Sequence, residues 1–140
     1  MSRSSHENLD EVDRRLIDAA TEVVRLRGDG TLHTVGAALL SGDRSIHSAV
    51  NVFAQGGGAC AELAVLAKAV SEGSSRFTRI VAVGDQDRGV VEPCGVCRQL
   101  LLDYAPSIEV IVHDGDELRR VPIGELMPLS HRSWFARHDA

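Results

Sequence analysis

Gly56-Gly57-Gly58-Ala59-Cys60-Ala61-Glu62-Leu63-Ala64-Val65-Leu66 and, downstream, Pro93-Cys94-Gly95-Val96-Cys97-Arg98-Gln99-Leu100-Leu101-Leu102 decide how this chain is built. The glycines break regular structure, and the run from Cys60 to Val70 is made of helix formers that continue up to Gly73. Between the two stretches, Arg79–Val83 (RIVAV) is a short apolar run bounded by polar residues, the signature of a buried strand. Pro93 suits the approach to a helix and Pro106 follows its end; Ile108–Val112 (IEVIV) is a second buried strand. Upstream, Val12, Leu16, Ile17, Ala20, Val23 and Val24 form one stripe of a helix over residues 10–27, which Gly28-Asp29-Gly30 stops. Residues 34–40 (TVGAALL) and 46–53 read as strands joined by turn chemistry at Ser41–Arg44, a hairpin. Arg119–Pro122 adds a short edge strand and Ile123–Met127 a short helix. Strands alternating with helices predict an α/β protein, a three-layer αβα sandwich around a mixed five-stranded sheet with one antiparallel hairpin.

Composition bounds the function. The 140 residues carry a net charge of −5, which disfavours a basic face for phosphate contacts, so no nucleic-acid partner is expected. With 44% hydrophobic and 25% charged residues, the chain is ordinary for a folded domain and too apolar for a disordered one. No apolar run reaches the ~18 residues of a membrane span, and residues 1–10 lack the apolar core of a secretory signal. The expectation is one cytoplasmic domain over residues 1–140, loose at 1–9 and 136–140, with no membrane partner.

Three cysteines are an odd number for a disulfide framework, and their spacing points to metal. Cys94 and Cys97 form a C-x-x-C pair at a helix start, where the first turn brings residues i and i+3 to one side. Cys60 opens the other helix. Helix N-termini carry partial positive charge, so thiolates are expected at all three positions. Three protein ligands leave a fourth tetrahedral position open, as in catalytic zinc sites. Glu62, two residues after Cys60, is placed to reach a water at that position. A redox pair or two buried thiols would account for C-x-x-C alone, but would need neither Cys60 nor Glu62. The pattern C-A-E followed by P-C-x-x-C matches the zinc deaminase signature, with Cys as first ligand.

With these motifs, and with TVGAALL, AVNVFAQGGGACAELAVL, IVAVGDQDRGVVEPCGVCRQLLLDYAPSIEVIVHD and VPIGELMP, the chain resembles the cytidine deaminase family, and within it the blasticidin S deaminases. The resemblance runs from about residue 10 to Trp134. It implies the cytidine-deaminase-like fold, a homotetramer whose sites are completed by neighbouring subunits, and one zinc ion per chain held by Cys60, Cys94 and Cys97. It implies Glu62 as proton shuttle in converting a cytosine ring to uracil with release of ammonia, and places the Ala61 N–H and the backbone near Pro93 at the pyrimidine edge.

The same resemblance frames the substrate. Three thiolates on Zn²⁺ leave a charge of −1; ordinary cytidine deaminases of this type follow C-A-E with Arg, whereas Leu63 stands here. Arg88 in the loop before Pro93 is the compensating candidate. Asn51 matches the family's sugar-binding asparagine, but Phe53 occupies the position of its ribose-gripping glutamate. Period-two strand geometry would put residues 51 and 53 on one face, and a phenyl ring offers a hydroxyl no acceptor. Thr34 stands at a pocket serine's position, and Trp134 near the C-terminus is a candidate cover for the site. The expected partner is a nucleoside-like small molecule: a free cytosine nucleoside or a nucleoside antibiotic like blasticidin S. Pyrimidine-salvage cytidine or deoxycytidine deamination, and deamination of another aminated heterocycle, are the alternatives. His33, His47 and His113 have no partners at metal spacing.

Overall fold

A computed structural model describes residues 9–131. Its elements run α1 (Glu11–Arg27), β1 (Val35–Ser41), β2 (Ile46–Val50), α2 (Ala61–Ser71), β3 (Phe77–Gly84), β4 (Gly89–Val91), α3 (Gly95–Tyr104), β5 (Glu109–Asp114), β6 (Glu117–Pro122) and a 3₁₀ turn (Ile123–Leu126). The strands form one mixed sheet in the order β2-β1-β3-β5-β6, with β4 paired to β3.

The three-layer prediction holds, with two corrections to the sheet. It has six strands rather than five, because β4 folds back along Ala82–Gly84 of β3. On the same edge of β3, Arg79 and Ile80 pair in parallel with β5. And where one hairpin was expected there are three antiparallel ones, β1–β2, β3–β4 and β5–β6; β3–β5 is the parallel pair among the described strands. The turn into β4 runs through Gln86 and Asp87 at φ 55° and 58° and Gly89 at φ 79°, left-handed geometry that lets two residues reverse a twisted ribbon.

Alternation along the strands sorts the core into two layers. Ala37 and Leu39, Ile80 and Ala82, and Val110 and Val112 face α2 and α3, packing with Val65, Leu66 and Leu101. Ala38, Val81, Val83 and Ile111 face α1, against Leu16 and Ala20. Asp10 caps α1: its carboxylate accepts the Asp13 N–H while Asp13 accepts the Asp10 N–H, a reciprocal box. The buried stripe of α1 is Asp13-Leu16-Ala20-Val24, so its first position is a carboxylate with no exposed surface. Arg79 of β3 (2.9 Å) and Arg120 of β6 both donate to Asp13, and Arg120 also donates to Glu109 at 2.9 Å. Gly36 lets α1 approach β1, since a Cβ there would stand 2.4 Å from the Ala20 carbonyl oxygen.

Candidate metal centre and active site

α2 and α3 deliver the three cysteines through their N-termini. Cys60 is the N-cap of α2, and its carbonyl accepts the Ala64 N–H at 3.0 Å; Cys94 is the N-cap of α3, and its carbonyl accepts the Arg98 N–H at 2.9 Å. Cys97 lies in the first turn of α3, buried. The three Sγ atoms lie within 4.8 Å of one another, with Cys60 and Cys94 sulfurs 3.7 Å apart. Zn–S bonds of about 2.3 Å at tetrahedral angles place two sulfurs about 3.8 Å apart. The donor set and spacing therefore fit a zinc ion, and this is the group of metal-ligating side chains among the described residues.

Glu62 is buried at the second position of α2, with Oε1 3.7 Å from Cys97 Sγ. Burial pushes its carboxyl above the usual carboxylate range, against opposing hydrogen bonds from its own N–H and the Cys97 thiol. The thiols depart from the expectation that all three are predisposed to ionise. Burial pushes Cys97 far up, with the Glu62 charge adding to it, and pushes Cys60 up as well. Only Cys94 lies below its ordinary value: burial opposes ionisation there, but the Cys97 N–H, the neighbouring thiols and the Val96 N–H outweigh it. Of the two N-cap sulfurs only Cys94 accepts N–H bonds from its own helix start, while burial dominates at Cys60 and Cys97, so a metal would itself drive the remaining ionisation.

A cavity of about 330 Å³ opens over this cluster, bordered by Cys60, Ala61, Glu62, Cys94, Thr34, Asn51, Phe53 and Arg88. That volume suits a small organic molecule. Ala61, at the first position of α2, directs a backbone N–H that no helical bond uses. Thr34, Asn51, Phe53 and Arg88 all reach this cavity, as the resemblance implies. β2 ends at Val50 and Val52 makes an isolated bridge to Ala59, so residues 51 and 53 do not alternate in a strand, although both reach the cavity wall. Asn51 is 7% exposed, and its side-chain oxygen accepts the Thr34 and Val35 N–H groups at 2.7 and 3.0 Å. Its NH₂ donates to Thr34 Oγ1 at 3.3 Å. The carboxamide oxygen is thus spent on the start of β1. Phe53 stands at the rim, 58% exposed, its N–H donated to the Leu32 carbonyl.

Arg88 lies across Gly84, where a Cβ would meet the guanidinium at 2.7 Å. Its hydrogen bonds run to the Thr34 carbonyl (2.8 Å) and to Asp85 (3.0 Å to Oδ1), rather than to a thiol. It borders the same cavity as Cys60 and Cys94. The Pro93 carbonyl is occupied by Arg98 Nε at 2.9 Å, and the same guanidinium donates to the Leu126 carbonyl at 3.3 Å. Sequence reasoning missed Glu92, which also lines the cavity and accepts the His113 N–H at 2.8 Å; its place directly before Pro93-Cys94 was the available signal. Trp134 lies outside the described residues. His33 and His47 bond to the Asn51 carbonyl and to Glu72, away from the sulfurs.

Comparison with known proteins accords with this geometry. Residues 10–113 match the family described as the cytidine and deoxycytidylate deaminase zinc-binding region. The chain is 37% identical over 133 residues to blasticidin-S deaminase from Bacillus cereus, covering 89% of this chain and 95% of that protein. It is 36% identical over 99 residues to a cytidine deaminase of Halalkalibacterium halodurans, covering 67% of this chain and 74% of the relative. Among solved structures, cytidine deaminase from Mycobacterium tuberculosis superposes with TM-score 0.71 at 28% identity, over 88% of this chain and 98% of that one. The enzyme from Burkholderia pseudomallei gives 0.70 at 28%, over 88% and 100%. No described helix is long and apolar enough to cross a membrane. With three sulfurs at zinc spacing, a buried carboxyl beside them and a family match over most of its length, the chain belongs to the cytidine and deoxycytidylate deaminases and is a zinc-dependent hydrolytic deaminase.

Proposed function

We propose that the protein deaminates the cytosine ring of a free nucleoside or of a nucleoside antibiotic of the blasticidin S type, with Cys60, Cys94 and Cys97 as metal ligands and Glu62 as the catalytic acid–base. The observation that carries this reading is the juxtaposition of Glu62 and the sulfur cluster in a nucleoside-sized cavity whose rim holds Phe53. A zinc ion held by the three sulfurs supplies Lewis acidity that brings the pKa of water toward ~7. Glu62 accepts a proton from the attacking water and delivers it to ring N3 as the bond to C4 forms; it then takes the proton of the new C4 hydroxyl and gives it to the leaving nitrogen, and the C4–N bond breaks to release ammonia and leave the C4 carbonyl. Burial raises the Glu62 carboxyl above the usual carboxylate range, the direction that favours the proton-carrying form. The Ala61 N–H, unused in the helix, meets the ring carbonyl oxygen. Arg88, Thr34 and Asn51 shape the far wall, Arg88 through the Thr34 carbonyl.

The sugar site separates antibiotic from salvage substrate. A pocket built to hydrogen-bond a hydroxyl rejects an analogue lacking it by ~10⁴ or more. The Asn51 oxygen is committed to backbone and Phe53 offers no acceptor, so the ratio of kcat/KM for cytidine over 3′-deoxycytidine should stay within about tenfold. Ammonia release measured over blasticidin S, cytidine, deoxycytidine and 3′-deoxycytidine tests this. A strong preference for cytidine over its 3′-deoxy analogue would move the assignment to pyrimidine salvage.

The assembly we propose is a homotetramer of single-domain chains, with Trp134 contributed near the site. Phe53 and Val96, 58% and 75% exposed beside the ligands, are the apolar surface a neighbouring subunit would cover. A cytoplasmic location fits three free thiols in a chain that needs them reduced. Sedimentation of the zinc-loaded protein as a monomer at micromolar concentration would refute the assembly.

A further inference from the structure

A second set of hydrogen-bonded side chains stands where β2, the end of α2 and the turn into β3 meet, bordering a cavity that shares no lining residue with the first. His47 Nδ1 lies 2.8 Å from Glu72 Oε1, and His47 Nε2 lies 3.1 Å from Ser74 Oγ. The His47 side chain is 10% exposed, so the ring is held between its two partners. Ser45 Oγ also approaches Nε2, at the longer distance of 3.3 Å. Ser45 Oγ is also held by shorter contacts, 2.6 Å to Asp43 Oδ1 and 2.7 Å to Ser41 Oγ, which leaves Ser74 the nearer hydroxyl to Nε2. With Nδ1–H donated to Glu72, Nε2 is an acceptor, and the Ser74 hydroxyl is its donor. The order carboxylate–imidazole–hydroxyl is that of an orienting group, a general base and a nucleophile.

Gly73, at φ 98°, turns the chain out of α2 and sets Ser74 on the wall of a cavity of about 310 Å³. Ser41, Asp43 and Ser75 share that wall, and Arg76 is the cation among its lining residues. None of these offers a large apolar surface, so the cavity suits a small, polar acyl group such as acetyl.

We propose that Ser74, His47 and Glu72 form a second active site, an acyl-transfer centre that hydrolyses short-chain carboxylic esters. Ser74 Oγ bonds to the ester carbonyl carbon as its proton passes to His47 Nε2, and Arg76 faces the oxyanion. The carbon–alkoxy bond then breaks, and the alcohol leaves with the proton from Nε2. A water repeats the sequence on the acyl-serine, giving the carboxylic acid and restoring Ser74. Glu72 holds the imidazole in the tautomer that accepts at Nε2.

The test treats the zinc-loaded protein with a fluorophosphonate probe, maps the labelled serine by mass spectrometry, and follows 4-nitrophenyl acetate hydrolysis. Labelling is expected at Ser74, absent in Ser74→Ala and slowed about 10²-fold or more in His47→Gln. Glu72→Gln should slow it about tenfold. Retained deaminase activity in Ser74→Ala and His47→Gln shows that these variants fold. Labelling of Ser74 no faster than of Ser75, or unchanged in His47→Gln, overturns the proposal, as does ester hydrolysis that persists in Ser74→Ala.

Discussion

Replacing Asn51 by alanine and by aspartate should separate a backbone clamp from a substrate grip. In Asn51→Ala, the Thr34 and Val35 N–H groups lose the one oxygen they share, at 2.7 and 3.0 Å, in a position 7% exposed. Each buried donor left without a partner costs about 1–3 kcal/mol. Because the site borders a cavity that water can enter, the sum should fall toward the lower end, about 2–4 kcal/mol. Asn51→Asp retains an oxygen for both N–H groups, and Thr34 Oγ1 can rotate to donate where it now accepts. A carboxylate accepting two backbone N–H bonds is itself stabilised, so the Asp variant should stay within about 1.5 kcal/mol of wild type. Urea unfolding of the zinc-loaded proteins at one fixed concentration measures both values. An alanine variant within about 0.5 kcal/mol of wild type would refute the clamp, as would an Asp variant as unstable as the Ala one.

Three further outcomes follow from the same geometry. Glu62→Gln should keep its full zinc content by elemental analysis while losing about 10²-fold or more in kcat, since an amide cannot shuttle a proton. Arg88→Ala should lower kcat/KM about tenfold through the loosened Thr34 wall yet retain zinc, because its bonds run to Thr34 and Asp85; Arg15→Ala, on the exposed face of α1, is the control and should do neither. Parallel loss of zinc in Arg88→Ala would instead assign it the charge-compensating role. Asp10→Ala should cost about 1 kcal/mol at pH 7 through the lost cap. Burial opposes ionisation of Asp10, but the Asp13 N–H and Arg79 hold its carboxyl down to about 2, from 3.8. The cap's stabilisation is therefore complete above pH 3.8 and fades as pH falls toward 2, so thermal unfolding of the two proteins should converge over that window.

Most of the architecture was legible because apolar periodicity and Gly/Pro punctuation agreed from residue 10 to residue 127. β4 was not: its three residues carry no pattern, and its turn uses Gln86 and Asp87 in left-handed geometry where a hairpin signal would show Asn-Gly or Gly-Gly. Asp13 was hidden for the opposite reason. It sits at helical spacing on an apolar stripe, and only the folded chain brings Arg79 and Arg120 to it from 66 and 107 residues away. At the site, Cys60, Glu62, Cys94 and Cys97 could be grouped by motif because helix starts hold them in fixed relation. Asn51 and Arg88 could not be assigned, since a hydrogen-bonding side chain near a cavity has backbone partners to choose as well as ligands. In both cases the Thr34 segment at the start of β1 competes for them.

The pairing of Asp13 with arginines from β3 and β6 also constrains the order in which the chain can assemble. Asp13 stands near the beginning of the chain, and Arg120, one of its two partners, on the last strand. A carboxylate with no exposed surface is costly to bury while one partner is missing. During synthesis the first helix thus emerges early but cannot settle fully on the sheet until β6 has left the ribosome, some hundred residues later. Such long-range closure is intrinsically slow. A nascent chain stalled before β6 should therefore leave α1 undocked and open to proteolysis.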